Sequence, residues 1–231
     1  MIKTLDDVST NRVMAMIVGR SGIGKTFLAG TLEGNTLIGS AESGLLCLKN
    51  YPKRVQERIQ FWEIQTMDDL KKFFVYCTTE ECKNKYQNLY IDSLTEIGEK
   101  LLLELKADPK LGADNMLLKM YGKYNDDFLK FIVALRDIRP YNIFFTCLNS
   151  YEKDGLEMKE GFSFPGQKVK EKVKSLFDIV LKYEVFEKDD IKYRKLISDD
   201  LISPLAKDRS GRLSAYEEPD LGAIMHKILG V

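Results

Sequence analysis

Short apolar runs alternate with stretches of helical period from residue 13 to residue 147, a pattern that predicts a mostly parallel sheet flanked by helices. Residues 13–18, Val-Met-Ala-Met-Ile-Val, are apolar without a break and read as a buried strand. A helix is expected over 25–32, closed by Gly34 and Asn35. Residues 36–40 and 59–64 are strand-like, 67–83 carries a helical period, and 88–92 is a further strand. Leu94, Ile97, Leu101 and Leu105 share one helix face that stops near Pro109. Tyr124, Phe128, Phe131, Ile132, Leu135 and Ile138 line another, ending at Pro140, and 141–147 is a buried strand.

After Asn149 the pattern changes. Residues 151–167 are polar, carry glycine and show no apolar period, so they read as a long mobile loop. Residues 177–186 and 191–197 read as two strands joined by the acidic turn Lys188-Asp189-Asp190, an antiparallel hairpin that extends the sheet near its C-terminal end. Residues 218–229 form a closing helix. No repeat, low-complexity segment or linker divides the chain, so residues 1–231 are expected to form a single α/β domain of three layers.

Composition narrows the function. Hydrophobic residues make up 44% and charged residues 30%, as in an ordinary soluble protein. The 35 Lys and Arg balance the 35 Asp and Glu, so any nucleic-acid contact must come from a local patch rather than a global field. Cys47, Cys77, Cys82 and Cys147 lack C-x-x-C spacing and His226 is the only histidine, a poor donor set for zinc. Cys47 and Cys147 sit in apolar runs, as buried thiols do. Residues 1–7 have no apolar h-region and no window reaches membrane-spanning length, so a cytoplasmic protein without a membrane partner is expected.

The chemistry begins directly behind the first strand. Residues 19–26, Gly-Arg-Ser-Gly-Ile-Gly-Lys-Thr, complete the G-x-x-x-x-G-K-[ST] phosphate loop between a predicted strand and a predicted helix. Gly19, Gly22 and Gly24 let successive backbone N–H groups, those of Arg20, Ser21 and Ile23 among them, turn inward on phosphate oxygens. Lys25 would reach the β and γ phosphates, Thr26 would hold Mg²⁺ through its hydroxyl, and Phe27 would follow at the helix start. Asp92 ends the strand 88–92, where a carboxylate holds Mg²⁺ through its water shell; the neighbouring Ser93 is free to cap the next helix in its place. Glu42, after the second strand, either orients an attacking water or is a solvated loop residue. Asn149 stands just past the strand 141–147, where a polar side chain senses a γ phosphate or merely starts a loop. Lys207 and Arg209, two apart on an extended segment, point to one side and make either a pair of fingers or a solvated basic turn.

Taken together, residues 19–26, Ser40-Ala41-Glu42, Ile91-Asp92-Ser93 and Lys207-Asp208-Arg209-Ser210-Gly211 resemble the RecA-like ATPases in the same chain order. The likeness is greatest to short, core-only nucleotide-binding proteins of bacteriophages, of the AAA family, a group that includes the Sak-type single-strand annealing recombinases related to RecA and RadA. The resemblance implies a RecA-like P-loop fold, with ATP and Mg²⁺ as cofactors. It implies Glu42 as the catalytic glutamate, Asp92 as the Mg²⁺ aspartate, and Lys207 and Arg209 as fingers inserted in trans into a neighbouring subunit of a ring or filament. Asn149 stands where the family keeps a glutamine or histidine, a departure from the pattern. It also implies a bare motor core, with no DNA-binding domain ahead of Met14, in the cytoplasm of a bacterial host.

A DNA-contacting loop in such proteins falls at 151–167. Here Lys153, Lys159, Lys168, Lys170, Lys172 and Lys174 lie in or just after it, interspersed with Tyr151, Phe162 and Phe164, the mixture of cations and aromatics with which sequence-tolerant proteins hold single-stranded DNA. The lysines from 168 onward also fit the solvated face of a helix. The expected function is an ATPase that binds single-stranded DNA in recombination or annealing, alongside a single-stranded DNA-binding protein. The alternative is a nucleotide-gated, helicase-loader-like assembly factor. A small-molecule kinase is disfavoured because 151–167 contains no arginine for a lid.

Overall fold

The computed structural model describes residues 12–111, 116–155 and 157–230; the leader reading of residues 1–7 lies outside them. Strand β1 (Met14–Val18) is followed by a 3-10 helix (Thr26–Thr31), β2 (Thr36–Ser40), a second 3-10 turn (Leu45–Asn50), α1 (Lys53–Gln56) and β3 (Ile59–Glu63). Next come α2 (Met67–Cys77), α3 (Glu80–Lys85), β4 (Asn88–Asp92), α4 (Leu94–Ala107), α5 (Leu117–Asp137) and β5 (Asn142–Cys147). The remainder holds β6 (Asn149–Asp154), β7 (Glu157–Phe162), α6 (Gln167–Lys172), a 3-10 turn (Val173–Leu176), β8 (Ile179–Lys188) and β9 (Ile191–Ile197). It ends with β10 (Lys207–Asp208), β11 (Tyr216–Glu217) and α7 (Leu221–Leu229).

The main sheet runs β11-β9-β8-β1-β5-β4-β2-β3, with β10 on the β9 side of β8. The six strands from β8 to β3 are parallel, and β9 returns antiparallel. The expected three layers and added hairpin are both present. Side chains leave the central strands alternately, and that period builds two cores. Met14, Met16, Leu89, Ile91, Ile143 and Phe145 face α2, α4 and α5. Ala15, Ile17, Tyr90 and Phe144 face the Thr26–Thr31 helix and α7. All parallel strands finish on one edge, so Gly19, Ser40, Asp92 and Leu148 come together there although far apart in sequence.

Three expectations are corrected. The helix over 25–32 is a six-residue 3-10 helix, because Thr26, Phe27 and Thr31 are weak helix formers and Gly30 lies flat against the Tyr51 ring. The period over 67–83 belongs to two helices: Thr79 accepts a bond from Cys82 N and starts α3 anew, so both Cys77 and Cys82 reach the core. The loop over 151–167 is mostly a regular hairpin, β6 paired with β7 from Asn149↔Phe162 to Asp154↔Glu157. It forms a separate two-stranded sheet, polar along most of its length, so no apolar alternation was there to find. Gly155 at its tip has φ 64°, a turn conformation that glycine adopts freely.

Candidate nucleotide-binding site

β1 is buried at all five positions and delivers Gly19 to the rim, where its N–H bonds Cys147 O at 3.1 Å. A Cβ on Gly19 would lie 2.8 Å from Tyr183 O, so only glycine lets the loop leave the sheet beside β8. Gly22 (φ 75°) and Gly24 (φ 109°) take left-handed conformations, and the loop's single apolar side chain, Ile23, anchors it in the core. Arg20, Ser21 and Phe27 are exposed. The Lys25 ammonium is folded back on the loop, donating to Gly19 O at 2.8 Å and Arg20 O at 3.0 Å. Burial lowers its pKa from the ordinary lysine range, opposed by the negative charges of Glu42 and Asp92.

Thr26 Oγ1 donates to Asp92 Oδ2 at 2.6 Å, and Thr146 Oγ1 donates to Asp92 Oδ1 at 2.5 Å. Asp92 is 1% exposed, with each carboxylate oxygen on one hydroxyl. The helix cap falls to the other candidate: Ser93 accepts from Glu96 N at the start of α4, which leaves Asp92 out of capping. Ser93 also donates to Glu42 Oε1. Glu42 is tied to the same strand end by its backbone, since Ala41 N and Glu42 N both bond Asp92 O, at 2.6 and 3.2 Å. Ser40 Oγ closes this turn on Glu42 O at 2.5 Å. Lys25, Thr26, Glu42 and Asp92, which arise from three separate segments, are thus brought together. A carboxylate next to a hydroxyl is the hard oxygen set that Mg²⁺ takes, so the residues present fit the ion the motif implies.

Several supporting residues carried no sequence signal. Tyr90, fully buried, donates to Lys25 O at 2.6 Å and sets the height of the phosphate-loop helix above the sheet. Thr146 is one residue inside β5, and only its pairing with Asp92 marks it out. Lys182 is the least expected: it sits on β8 opposite Val18, is 2% exposed, and pairs with Glu160 of β7.

The remaining candidates divide. Asn149 stands beside the loop and lines a cavity of about 310 Å³ with Arg20, Ile23, Tyr151 and Lys182. Its amide donates to Glu160 Oε1 at 2.6 Å. Lys207 and Arg209 do not meet the phosphate loop of their own chain. They lie by the start of β8, at the opposite edge of the sheet, where Lys207 Nζ donates to Phe177 O at 2.7 Å and Arg209 to Ser175 O at 2.9 Å and Asp178 Oδ1 at 3.3 Å.

The aromatic part of the expected DNA surface is corrected. Phe162 and Phe164 are 5% and 4% exposed, and Phe164 packs 5.3 Å from the Phe128 ring in the core, so neither offers a face to a base. The chain turns inward at the end of β7, where Phe162 and Phe164 join the core and Phe164 packs against Phe128 of α5. Lys168 pairs with Asp126 at 2.9 Å and Lys170 with Glu152. Lys153 and Lys159 are exposed along the hairpin, as is Tyr151 at its base.

A phosphate loop on the central strand, with a hydroxyl and a strand-end carboxylate beside it, defines a P-loop nucleotide-binding ATPase domain. The sequence profile of the AAA domain matches residues 11–210, and the chain belongs to that family. Among solved structures it is similar to a KaiC-like protein of the hyperthermophilic archaeon Pyrococcus horikoshii OT3, at 15% identity and TM-score 0.41, covering 80% of this chain and 77% of that one. No curated protein matches the sequence. Among the described residues no helix is long and apolar enough to cross a membrane.

Proposed function

We propose that the protein is a Mg²⁺-dependent ATPase of RecA-like type that works between neighbouring copies of itself. The observation that carries this reading is the convergence of Thr26, Asp92 and Glu42 on one strand end beside Lys25. The loop amides and Lys25 bind the β and γ phosphates, the ammonium exchanging the Gly19 and Arg20 carbonyls for phosphate oxygens. Thr26 and Asp92 would hold Mg²⁺, which would supply neutralisation of the phosphate charge. Glu42, steadied by Ser93, orients a water in line with the γ phosphorus and accepts its proton. Lys207 and Arg209 lie at the far edge of the sheet and do not meet the phosphate loop of their own chain, so a role as fingers requires a neighbouring subunit of a ring or filament.

Within this reading single-stranded DNA is the second ligand, in recombination or annealing during phage growth in the bacterial cytoplasm. Tyr151, Lys153 and Lys159, exposed on the β6–β7 hairpin, are the residues that would contact it. The assembly-factor reading draws support from a different observation, the burial of Phe162 and Phe164 and the pairing of Lys168 and Lys170, which removes much of the expected DNA surface.

Subunit mixing tests both. Lys25→Ala protein and Arg209→Ala protein are each expected to be inactive, and their mixture to recover ATP hydrolysis, with further stimulation by single-stranded DNA. Hydrolysis that recovers without any DNA response favours the assembly factor. Failure to recover, with nucleotide still bound, removes the trans-acting fingers.

A further inference from the structure

Lys182 is a buried cation that the proposed hydrolysis does not use. It lies in register with Val18, the last strand residue before the phosphate loop, and the next residue on its strand, Tyr183, is in contact range of Gly19. Its Nζ is paired with Glu160 and lies 6.0 Å from the centroid of the Tyr151 ring. Glu160 in turn accepts from Asn149. Through these bonds one carboxylate in the middle of β7 is held by β8 on one side and by the base of β6 on the other. Lys182, Asn149, Tyr151 and Arg20 all line the same cavity of about 310 Å³, large enough to admit an anion next to the phosphate loop. A buried ammonium left without a counter-charge is costly, so Lys182 must keep some anion within reach.

We propose that Lys182 and Glu160 form a latch that fastens the β6–β7 hairpin to the strand beside the phosphate loop, and that a terminal phosphate entering the cavity competes with Glu160 for Lys182. The proposal rests on the nucleotide-binding reading for its trigger but not for the latch itself. With the cavity free of anion, the ammonium holds the carboxylate and the hairpin is down. When a γ phosphate takes the ammonium, Glu160 and Asn149 are released together, and the hairpin is free to move. Lys182 acts here as a positioning residue: it carries the state of the loop to a segment whose exposed members include Tyr151, Lys153 and Lys159. A ligand shifts such an equilibrium only by its differential affinity for the two states, so ATP and ADP must act unequally.

The test is limited trypsin cleavage at the hairpin lysines, read with a fluorescent non-hydrolysable ATP analogue and with ADP, on wild type, Glu160→Gln and Lys182→Met. In wild type the analogue is expected to speed hairpin cleavage over ADP by a factor in the usual coupling range of about 5- to 150-fold. Glu160→Gln is expected to be cleaved fast with no nucleotide present, and to bind the analogue more tightly relative to ADP, because the competing carboxylate is gone. Lys182→Met should lose the difference between the two nucleotides; if it fails to fold, Glu160→Gln alone decides. Equal cleavage of wild type with both nucleotides bound, together with an unaltered hairpin in Glu160→Gln, overturns the latch. Absence of nucleotide binding in wild type overturns the trigger and the ATPase reading, while fast cleavage of Glu160→Gln would still support the latch.

Discussion

The Thr26 hydroxyl and the Asp92 carboxylate, 66 positions apart in sequence, meet at 2.6 Å and join the start of the phosphate-loop helix to the end of β4. The contact crosses over β5, the strand that separates β1 from β4. Asp92→Asn keeps the shape and a hydrogen bond but removes the charge that holds a divalent cation. Titration of a fluorescent ATP analogue should then give the same affinity with Mg²⁺ as with a chelator, whereas wild type should bind at least about tenfold more tightly with Mg²⁺. Equal Mg²⁺ dependence in both proteins would move the metal site elsewhere.

Glu42 accepts from Ser93, and its backbone is tied to Asp92. Glu42→Gln preserves that bond and leaves the loop intact, so nucleotide affinity should change little. Steady-state hydrolysis should fall by about 10²- to 10⁴-fold, the usual worth of a positioned base. Ser93→Ala should lower the rate less and also cost about 1 kcal/mol of stability, because Ser93 caps α4 as well. A Glu42→Gln enzyme of full activity would return Glu42 to the status of a loop residue.

Gly222 at the start of α7 touches the phosphate-loop helix: a Cβ there would lie 2.7 Å from Thr31 O, a backbone atom that cannot swing aside. The adjoining Leu221 N bonds Thr31 Oγ1 at 2.9 Å, so α7 supports the loop's helix directly. Gly222→Ala is therefore expected to destabilise the protein by about 1–3 kcal/mol despite its gain in helix propensity, and to weaken nucleotide binding with it. Thermal melts with and without nucleotide measure both effects.

Burial pushes the Cys147 thiol up to about 12 and lifts Cys77 and Cys82 above their ordinary range. All three are buried and unbridged, whereas Cys47 is half-exposed. At pH 8 a thiol reagent should label Cys47 first and the other three only on the timescale of unfolding. Labelling of Cys77 or Cys82 as fast as Cys47 would mean that the break between α2 and α3 opens in the native state.

What was legible in the sequence follows from the physics of each part. β1 and the loop after it are local: an apolar run, three glycines and a lysine announce themselves within fourteen positions, residues 13–26. Asp92 and Glu42 are legible because a strand end is a predictable place, even if the partner across the gap is not. Thr146, Tyr90 and Lys182 act through contacts made by the sheet's strand order, β8-β1-β5-β4, which no single segment encodes. The hairpin over β6 and β7 was missed for a different reason. Its two strands pair only with one another, in a sheet of their own, and strands that are polar along most of their length have no amphipathic period to display.

The same hairpin allows DNA contact to be separated from folding. Phe164 lies in the core against Phe128, so Phe164→Ala should cost about 3–5 kcal/mol of stability and alter DNA affinity only through unfolding. Tyr151 is 59% exposed on β6, so Tyr151→Ala should leave the melting temperature nearly unchanged. If single-stranded DNA is the ligand, that variant loses one base-stacking surface, worth about 1–3 kcal/mol or roughly 5- to 150-fold in affinity. Lys153→Ala should then weaken binding at low salt and flatten the dependence of log affinity on log salt by about 0.7. Fluorescence anisotropy with a labelled oligonucleotide across a salt series reads all of these. A wild-type affinity indifferent to salt, or a Tyr151→Ala protein that binds as wild type does, leaves the hairpin to a protein partner, because a strand of phosphates cannot be held by contacts that neither salt nor the loss of an aromatic face disturbs.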